Sequence, residues 1–162
     1  MKIDAMNSTL GSCALAFDQQ WSGLSGSKIG TSPVPTKILI AEDNSFMRQR
    51  IRQLLEKQPD WEICGEAHDG EQAVRLAEEL NPDIVVMDFL MPEMNGLVAA
   101  RKLAERDPHV PVLLFTLYIS RGLAEEARNA GLSGAVSKLS SSQLVEGVQA
   151  LLKGRTYFPL SA

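Results

Sequence analysis

The feature that most constrains the fold is a fivefold alternation of short aliphatic runs and longer amphipathic segments. The runs are short enough to be strands, and they cover residues 37–41, 61–67, 83–88, 110–116 and 134–138. The segments between them have helical periodicity and cover about residues 44–58, 71–80, 96–106, 121–130 and 140–153. Strands that alternate with helices pair in parallel through right-handed crossovers. The pattern therefore predicts an α/β fold, a (βα)₅ unit with a doubly wound parallel five-stranded sheet.

The two ends of the chain lie outside this alternation. Residues 1–36 are rich in Ser, Gly and Thr and have no sustained periodicity, so we expect a flexible N-terminal extension there. Residues 37–154 form the predicted domain, and residues 155–162 are expected to be a C-terminal tail. The sequence therefore predicts one folded domain with an extension at each end.

Charge and hydropathy exclude several classes of function. The net charge is -4 and no block of Lys or Arg is present, which argues against direct nucleic-acid binding by this chain. No window approaches the roughly 20 apolar residues that span a bilayer, and no secretion signal is recognisable at the N-terminus. We therefore expect a cytoplasmic protein that makes no contact with a membrane.

Polar side chains stand where the predicted strands end. Glu42 and Asp43 follow the first strand, Asp88 closes the third, Thr116 closes the fourth and Lys138 closes the fifth. In open parallel sheets, ligands bind beyond the carboxyl ends of the strands, near the point where the strand order reverses. The topology therefore predicts that these five side chains converge on one rim.

The residue types at this rim predict a metal-dependent phosphoryl site. Three carboxylates at short range repel one another strongly unless a cation neutralises them. Ligands that are all oxygen favour Mg²⁺, with Mn²⁺ as a substitute. A carboxylate beside such an ion, with an ammonium and a hydroxyl nearby, has the parts needed for nucleophilic phosphoryl capture. Asp88 is the candidate nucleophile.

At these positions the chain resembles the response-regulator receiver domains of two-component signalling, which have a flavodoxin-like fold. The resemblance covers about residues 37–153, and the matching motifs are Ala41-Glu42-Asp43-Asn44, Met87-Asp88-Phe89-Leu90-Met91-Pro92, Asn95-Gly96, Phe115-Thr116 and Ser137-Lys138. The stretch Ile63-Cys64-Gly65-Glu66-Ala67 with Asp69-Gly70 is most similar to receivers of the NarL/FixJ type. Those usually precede a LuxR-type helix-turn-helix domain, which does not follow within these 162 residues.

The resemblance implies a role for each of these residues. It implies that Glu42, Asp43 and Asp88 coordinate Mg²⁺ together with the backbone carbonyl of Leu90, and that two further side chains, Thr116 and Lys138, contact the phosphoryl oxygens. A histidine kinase or a histidine phosphotransfer protein would donate the phosphoryl group to Asp88. The resulting switch would control binding to a downstream effector protein, with homodimerisation as one form of output. Such a chain is a signalling phosphoacceptor that catalyses only its own phosphorylation and dephosphorylation.

Three positions depart from the common pattern of that family. Ala135 stands where many members have an aromatic residue, three positions before the lysine, so the usual Thr-to-aromatic coupling lacks its moving part. Leu90 and Leu117 place bulk near the phosphoryl site, where polar or small residues are frequent. We expect that Leu90 slows autodephosphorylation, because it cannot orient an attacking water and it screens the phosphoryl group.

Other interpretations of the same residues remain open. In isolation, Glu42 and Asp43 are acids that could simply favour the first turn of a helix. The main alternative function is a phosphorylation-independent, receiver-like adaptor, suggested by Ala135 and the two bulky leucines. A hydrolase with an aspartate nucleophile is less consistent with the sequence, because Leu90 occupies the position where such enzymes commonly have a second Asp.

Overall fold

The computed structural model describes residues 34–159, in which five strands alternate with five helices. The elements are β1 (Thr36–Ala41), α1 (Ser45–Leu55), β2 (Trp61–Ala67), α2 (Gly70–Leu80), β3 (Ile84–Met87), α3 (Gly96–Arg106), β4 (Val112–Thr116), α4 (Arg121–Asn129), β5 (Gly134–Ser137) and α5 (Ser141–Leu152). Residues 1–33 of the predicted N-terminal extension lie outside the described part of the chain. The predicted order of elements is confirmed.

All five strands lie in one parallel sheet, in the order β2-β1-β3-β4-β5. The helices cover both faces of this sheet. One buried cluster joins the sheet to α1 and α5, for example through Ile51 and Leu144, and the other joins it to α2, α3 and α4. The strand order reverses beside β1, so the doubly wound fold is the predicted one, with its switch point next to the end of β1.

The central strands are buried on both sides, as expected for parallel strands covered by helices. Every residue of β3 and of β4 is buried. Within β4, Leu113 and Phe115 contribute to the cluster of α1 and α5, whereas Val112 and Leu114 contribute to the opposite cluster. The two apolar cores therefore fix the positions of the strand ends at the edge of the sheet.

Helix ends follow local chemistry. The Asn44 side chain caps α1 by accepting a hydrogen bond from the Met47 amide, and Asn81 ends α2 in the left-handed conformation with φ of 47°. Two predicted boundaries differ from the observed ones by more than one residue. Helix α1 ends at Leu55 and not at residue 58; Glu56 is its C-cap, and a turn in which the Gln58 amide donates to the Leu55 carbonyl at 3.0 Å leads to Pro59, before which the helical region is disfavoured. Strand β4 begins at Val112 and not at residue 110, because Pro111 has no N–H for strand pairing.

The first residues of the predicted C-terminal tail pack against β5. Tyr157 forms a parallel bridge with Gly134, in which the Ala135 amide donates to the Tyr157 carbonyl at 3.0 Å. The guanidinium of Arg128 on α4 lies 4.1 Å from the centroid of the Phe158 ring. These contacts cover the outer edge of β5, which would otherwise offer unpaired backbone groups.

None of the five helices between residues 34 and 159 combines the length and the apolar character that a membrane span requires.

Candidate functional site

The five side chains predicted at the strand ends line one open cleft of about 330 Å³. The cleft lies at the carboxyl edge of the sheet, beside the reversal of strand order. Its lining residues are Glu42, Asp43, Asn44, Phe46, Met47, Asp88, Leu90, Thr116, Leu117 and Lys138. The convergence predicted from the topology is therefore present in the described residues.

Backbone hydrogen bonds between neighbouring strand ends hold these residues in register. The Asp88 amide donates to the Ala41 carbonyl at 2.8 Å, so the residue after β3 is tied to the last residue of β1. The Lys138 amide donates to the Thr116 carbonyl, also at 2.8 Å. Glu42, Asp88 and Lys138 are each the first residue beyond a strand, and Thr116 is the last residue of β4, so the sheet sets their positions. Asp43 follows Glu42 directly.

Three polar residues of the cleft are buried. Glu42 is 1%, Asp88 6% and Thr116 1% exposed, whereas Asp43 is exposed. Burying ionised carboxylates is costly unless a cation or hydrogen-bond donors compensate. The cleft therefore has a strong electrostatic requirement for positive charge.

Lys138 supplies part of that charge. Its ammonium lies 2.6 Å from Glu42 Oε2 and 2.8 Å from Asp88 Oδ2, and its side chain is 6% exposed. One ammonium thus serves two carboxylates and leaves the third, Asp43, without that compensation. With three carboxylates and one ammonium, the cluster keeps a formal negative charge.

The Glu42 carboxyl shows that the compensation is incomplete. Burial raises the pKa of Glu42, and the nearby charge of Asp88 raises it further, against the lowering effect of Lys138. The Lys138 ammonium lies 2.6 Å from Glu42 Oε2, and this single contact does not offset the effect of burial on the carboxyl group. One oxygen each from Glu42, Asp43 and Asp88 lies within 4.8 Å of the others. This donor set fits a hard divalent cation such as Mg²⁺.

In the turn after β3, the backbone at Asp88 and Phe89 lies close to the backbone at Gly96. The Gly96 amide donates to the Phe89 carbonyl at 2.9 Å, and a Cβ at Gly96 would overlap with the Asp88 carbonyl oxygen. The preceding Asn95 caps α3 by accepting from the Val98 amide. The Asn95-Gly96 pair therefore fixes where the Asp88 backbone lies relative to the start of α3.

Thr116 and Ala135 occupy buried positions behind the cleft. Thr116 Oγ1 accepts a hydrogen bond from the Tyr118 amide at 3.3 Å. Ala135 is fully buried, and its amide is bonded to the Tyr157 carbonyl. The position at which the resemblance to receivers would place an aromatic residue therefore carries only a methyl group, in a packed strand.

Apolar side chains form the rim of the cleft. Phe46, Leu90 and Leu117 are 67%, 56% and 47% exposed, and all three line the opening. These apolar side chains surround the opening through which solvent and partners reach the buried charges. Leu90 and Leu117 are therefore placed as the sequence predicted, beside Asp88 and Thr116.

One group near the site, Arg48 on α1, was not predicted from the sequence. Its Nη1 donates to the Glu42 carbonyl at 2.6 Å, and its Nε donates to Glu66 Oε2 at 3.0 Å. No sequence motif separates Arg48 from the other basic residues of α1. The only indication in the sequence is that Arg48 lies one turn after the Asn44 cap, on the face of α1 that meets β2.

Known proteins share this fold and these motifs. The response regulator receiver domain family matches residues 38–149. The transcriptional regulatory protein DegU of Brevibacillus brevis is 33% identical over 122 residues, which are 75% of this chain and 52% of that protein. A protein-glutamate methylesterase/protein-glutamine glutaminase of Alkalilimnicola ehrlichii is 41% identical over 104 residues, which are 63% of this chain and 26% of that protein. The chain thus spans about half, or less, of the length of these relatives.

A solved structure shows the same architecture. The crystal structure of a LuxR-family two-component response regulator from Aurantimonas sp. SI85-9A1 superposes with a TM-score of 0.74 at 35% identity. The match covers 76% of this chain and 89% of that one. The family match extends over most of the described sheet and helices, including every strand end that lines the cleft. This chain belongs to the response regulator receiver domain family of two-component systems.

Proposed function

We propose that this chain takes a phosphoryl group from a phosphohistidine onto Asp88, in a reaction that requires Mg²⁺. An Asp88 carboxylate oxygen attacks the phosphorus, the P–O bond forms, and the P–N bond to the donor imidazole breaks. The imidazole leaves with the electron pair of that bond and is protonated by solvent. The observation that carries this proposal is the position of Lys138, whose ammonium lies between the buried carboxylates of Asp88 and Glu42.

Glu42, Asp43 and Asp88 would hold the metal ion, together with the backbone carbonyl of Leu90. The closeness of the three carboxylates, each with an oxygen within 4.8 Å of the others, supports this assignment. When bound, Mg²⁺, or Mn²⁺ in its place, supplies positive charge to the phosphoryl oxygens. The adaptor alternative has no use for such a cluster, and the complete set of acids disfavours it.

Lys138 and Thr116 have separate roles in this proposal. The Lys138 ammonium orients Asp88 through their ion pair, and it offers donors to a phosphoryl oxygen once Asp88 is esterified. The Thr116 hydroxyl lines the same cleft from the end of β4 and donates to another phosphoryl oxygen. Both groups would stabilise the negative charge of the phosphoryl oxygens as the group enters the cleft, which lowers the barrier to its transfer.

The output of the reaction would be a change in binding. A phosphoryl group adds up to about two negative charges, which draw Thr116 inward and shift the face formed by α4, β5 and α5. The donor would be a histidine kinase or a histidine phosphotransfer protein in the cytoplasm, and the reader would be a downstream effector protein or a second copy of this chain. Residues 37–154 would be sufficient for the transfer, which makes the chain a signalling phosphoacceptor that turns over only its own phosphoryl group.

Phosphorylation by acetyl phosphate tests the proposal directly. The intact chain is incubated with the donor and Mg²⁺, and the modification is followed by intact mass and by its lability to hydroxylamine, which cleaves acyl phosphates. We expect a single labile phosphoryl group that requires Mg²⁺ and is absent in Asp88→Asn. The matched control is Asp60→Asn, which alters an exposed aspartate outside the cleft lining and should retain the label. A label of equal size in Asp88→Asn would refute the proposal.

A further inference from the structure

An arginine on α1 links the candidate metal ligands to the edge strand of the sheet. Arg48 Nη1 donates to the carbonyl of Glu42 at 2.6 Å and lies 3.4 Å from the carbonyl of Asp43. Its Nε donates to Glu66 Oε2 at 3.0 Å, and its side chain is 19% exposed. The guanidinium thus holds the backbone that carries both acids, and Arg48 is not among the residues that line the cleft.

Glu66 can pair with Arg48 only because β2 contains a β-bulge. Ile38 pairs with Ile63 but Leu39 pairs with Gly65, so Cys64 is an extra residue in β2. Before this bulge, Trp61 and Ile63 face the cluster of α1 and α5. In a regular strand Glu66 would then point to the opposite face, because side chains alternate with a period of two.

The bulge reverses that alternation. Cys64 packs against the opposite cluster, and a Cβ at Gly65 would point at Leu80 of α2, so two consecutive residues face the same side. Glu66 therefore faces α1, where it binds Arg48 and Arg52. Bulges beside functional sites commonly re-aim a single side chain in this way.

Two carboxylates balance the two arginines of this group, because Glu66 pairs with Arg48 and Arg52 and Glu56 also pairs with Arg52 at 2.6 Å. Burial tends to raise the pKa of Glu66, but the hydrogen bonds from Arg52 and Arg48 outweigh it, and the pKa lies below its ordinary value. Glu66 is therefore ionised and neutralises the arginine next to it. A neutralised guanidinium can bind the Glu42 carbonyl without opposing a cation bound by the acid pair.

On this basis we propose that Arg48, anchored by Glu66, is a positioning residue that orients Glu42 and Asp43 for the divalent cation. The inference rests on the proposed function, because it assigns these acids to metal binding. Asp43 is exposed, and the direction of its side chain depends on the backbone that Arg48 restrains. Arginine suits this role better than lysine, because its planar fork reaches a carboxylate and a carbonyl together.

Magnesium affinity, measured with the metal alone, tests this inference. Amide shifts of the full chain are titrated with MgCl₂ for wild type, Arg48→Ala, Arg48→Lys and Glu66→Gln. We expect the dissociation constant to rise about tenfold in Arg48→Ala and Glu66→Gln, the effect typical of removing a group that orients a metal ligand. Arg48→Lys should recover little of the affinity, because one ammonium cannot make both contacts. Arg52→Ala is the matched control, since Arg52 also binds Glu66 but does not contact the Glu42 or Asp43 carbonyl among the described bonds.

A second readout separates positioning from a general loss of structure. The Mg²⁺ concentration that gives half-maximal phosphorylation by acetyl phosphate should rise by the same factor in Arg48→Ala. The rate at saturating Mg²⁺ should stay within about twofold of wild type, because the Asp88 and Lys138 pair is untouched. If Arg48→Ala does not fold, Glu66→Gln decides the question by the same two measurements.

Two different failures are distinguishable. Wild-type affinity in Arg48→Ala and Glu66→Gln, with wild type binding Mg²⁺ and accepting the phosphoryl group, overturns the positioning role alone. A wild-type chain that neither binds Mg²⁺ nor accepts the phosphoryl group overturns the proposed function and this inference together.

Discussion

The Lys138 ammonium and the Asp88 carboxylate form a buried ion pair of 2.8 Å at the ends of two strands that are not adjacent in the sheet. Strand β4 lies between them, and its last residue, Thr116, bonds to the Lys138 backbone. The pair therefore depends on the registry of three strands, and it also includes Glu42 through the same ammonium. The same ion pair therefore contributes to the stability of the fold and to the proposed phosphoryl site.

Replacing Lys138 by methionine tests the contribution of this ion pair to stability. The substitution leaves two buried carboxylates without their cation, so we expect the free energy of unfolding to fall by about 3 kcal/mol in the absence of Mg²⁺. Added Mg²⁺ should reduce this deficit, because the ion binds the folded acid cluster and no longer competes with the ammonium. Urea unfolding with and without MgCl₂ provides the measurement. Lys102→Met, at an exposed position of α3, is the control, and equal stability of both variants would argue against that contribution.

Replacing Leu90 by asparagine tests the expected role of the apolar rim. An amide at this position can hold a water for attack on the phosphoryl group, and it removes apolar cover from the cleft. We expect the half-life of the Asp88 phosphoryl group to shorten about tenfold. The decay of the acyl phosphate, followed by intact mass, measures it. Leu139→Asn, at an exposed leucine outside the cleft lining, is the control; an unchanged or longer half-life in Leu90→Asn would contradict the expectation.

Alanine at Gly96 should displace the turn that carries Asp88. The added Cβ meets the Asp88 backbone and not a flexible side chain, so the two segments must separate. We expect a loss of about 2 kcal/mol in stability and a reduced rate of phosphorylation. Gly122→Ala on α4 is the control, because its Cβ has Ser120 Oγ at 3.9 Å as its nearest neighbour, and helix propensity favours alanine. Similar effects of the two substitutions would show that the close approach to Asp88 is unimportant.

The Tyr157 phenol should make stability depend on alkaline pH. Burial, together with the hydrogen bond that Tyr157 donates to Glu146 at 2.5 Å, raises the pKa of Tyr157 to about 12. A raised pKa favours the protonated phenol in the folded state, so its contribution is complete below the ordinary value of 10.0 and is lost as pH rises toward 12. The free energy of unfolding of wild type and of Tyr157→Phe is measured between these two pH values, and the difference between them should shrink as the pH rises. Tyr118→Phe, which removes an exposed phenol, is the control, and a constant difference would contradict the role of Tyr157.

Much of the site could be predicted because it depends on topology. Asp88, Thr116 and Lys138 each follow or end a short aliphatic run, and parallel strands bring such ends to one edge. The sequence of elements therefore located the cleft without any knowledge of side-chain contacts. The doubly wound parallel sheet was predicted from the alternation of strands and helices, and the strand pairing confirms it.

The parts that could not be predicted depend on local irregularity. The contact between Arg48 and Glu66 requires the extra residue Cys64 in β2. In an edge strand, such a one-residue shift is not visible in the hydrophobic pattern of the sequence. The bridge between Tyr157 and Gly134 was missed for a related reason. A single strand residue after a glycine turn is too short to have a period.

The central claim is that Asp88 accepts a phosphoryl group beside a divalent cation held by Glu42 and Asp43. A crystal structure grown with Mg²⁺ and beryllofluoride, which mimics a phosphoryl group, tests it most directly. We expect beryllium bonded to an Asp88 carboxylate oxygen, Mg²⁺ at about 2.1 Å from the acid oxygens, and Lys138 and Thr116 donating to fluorine atoms. Beryllofluoride bound elsewhere, or an Asp88 that stays unmodified at saturating concentrations of both reagents, would contradict it.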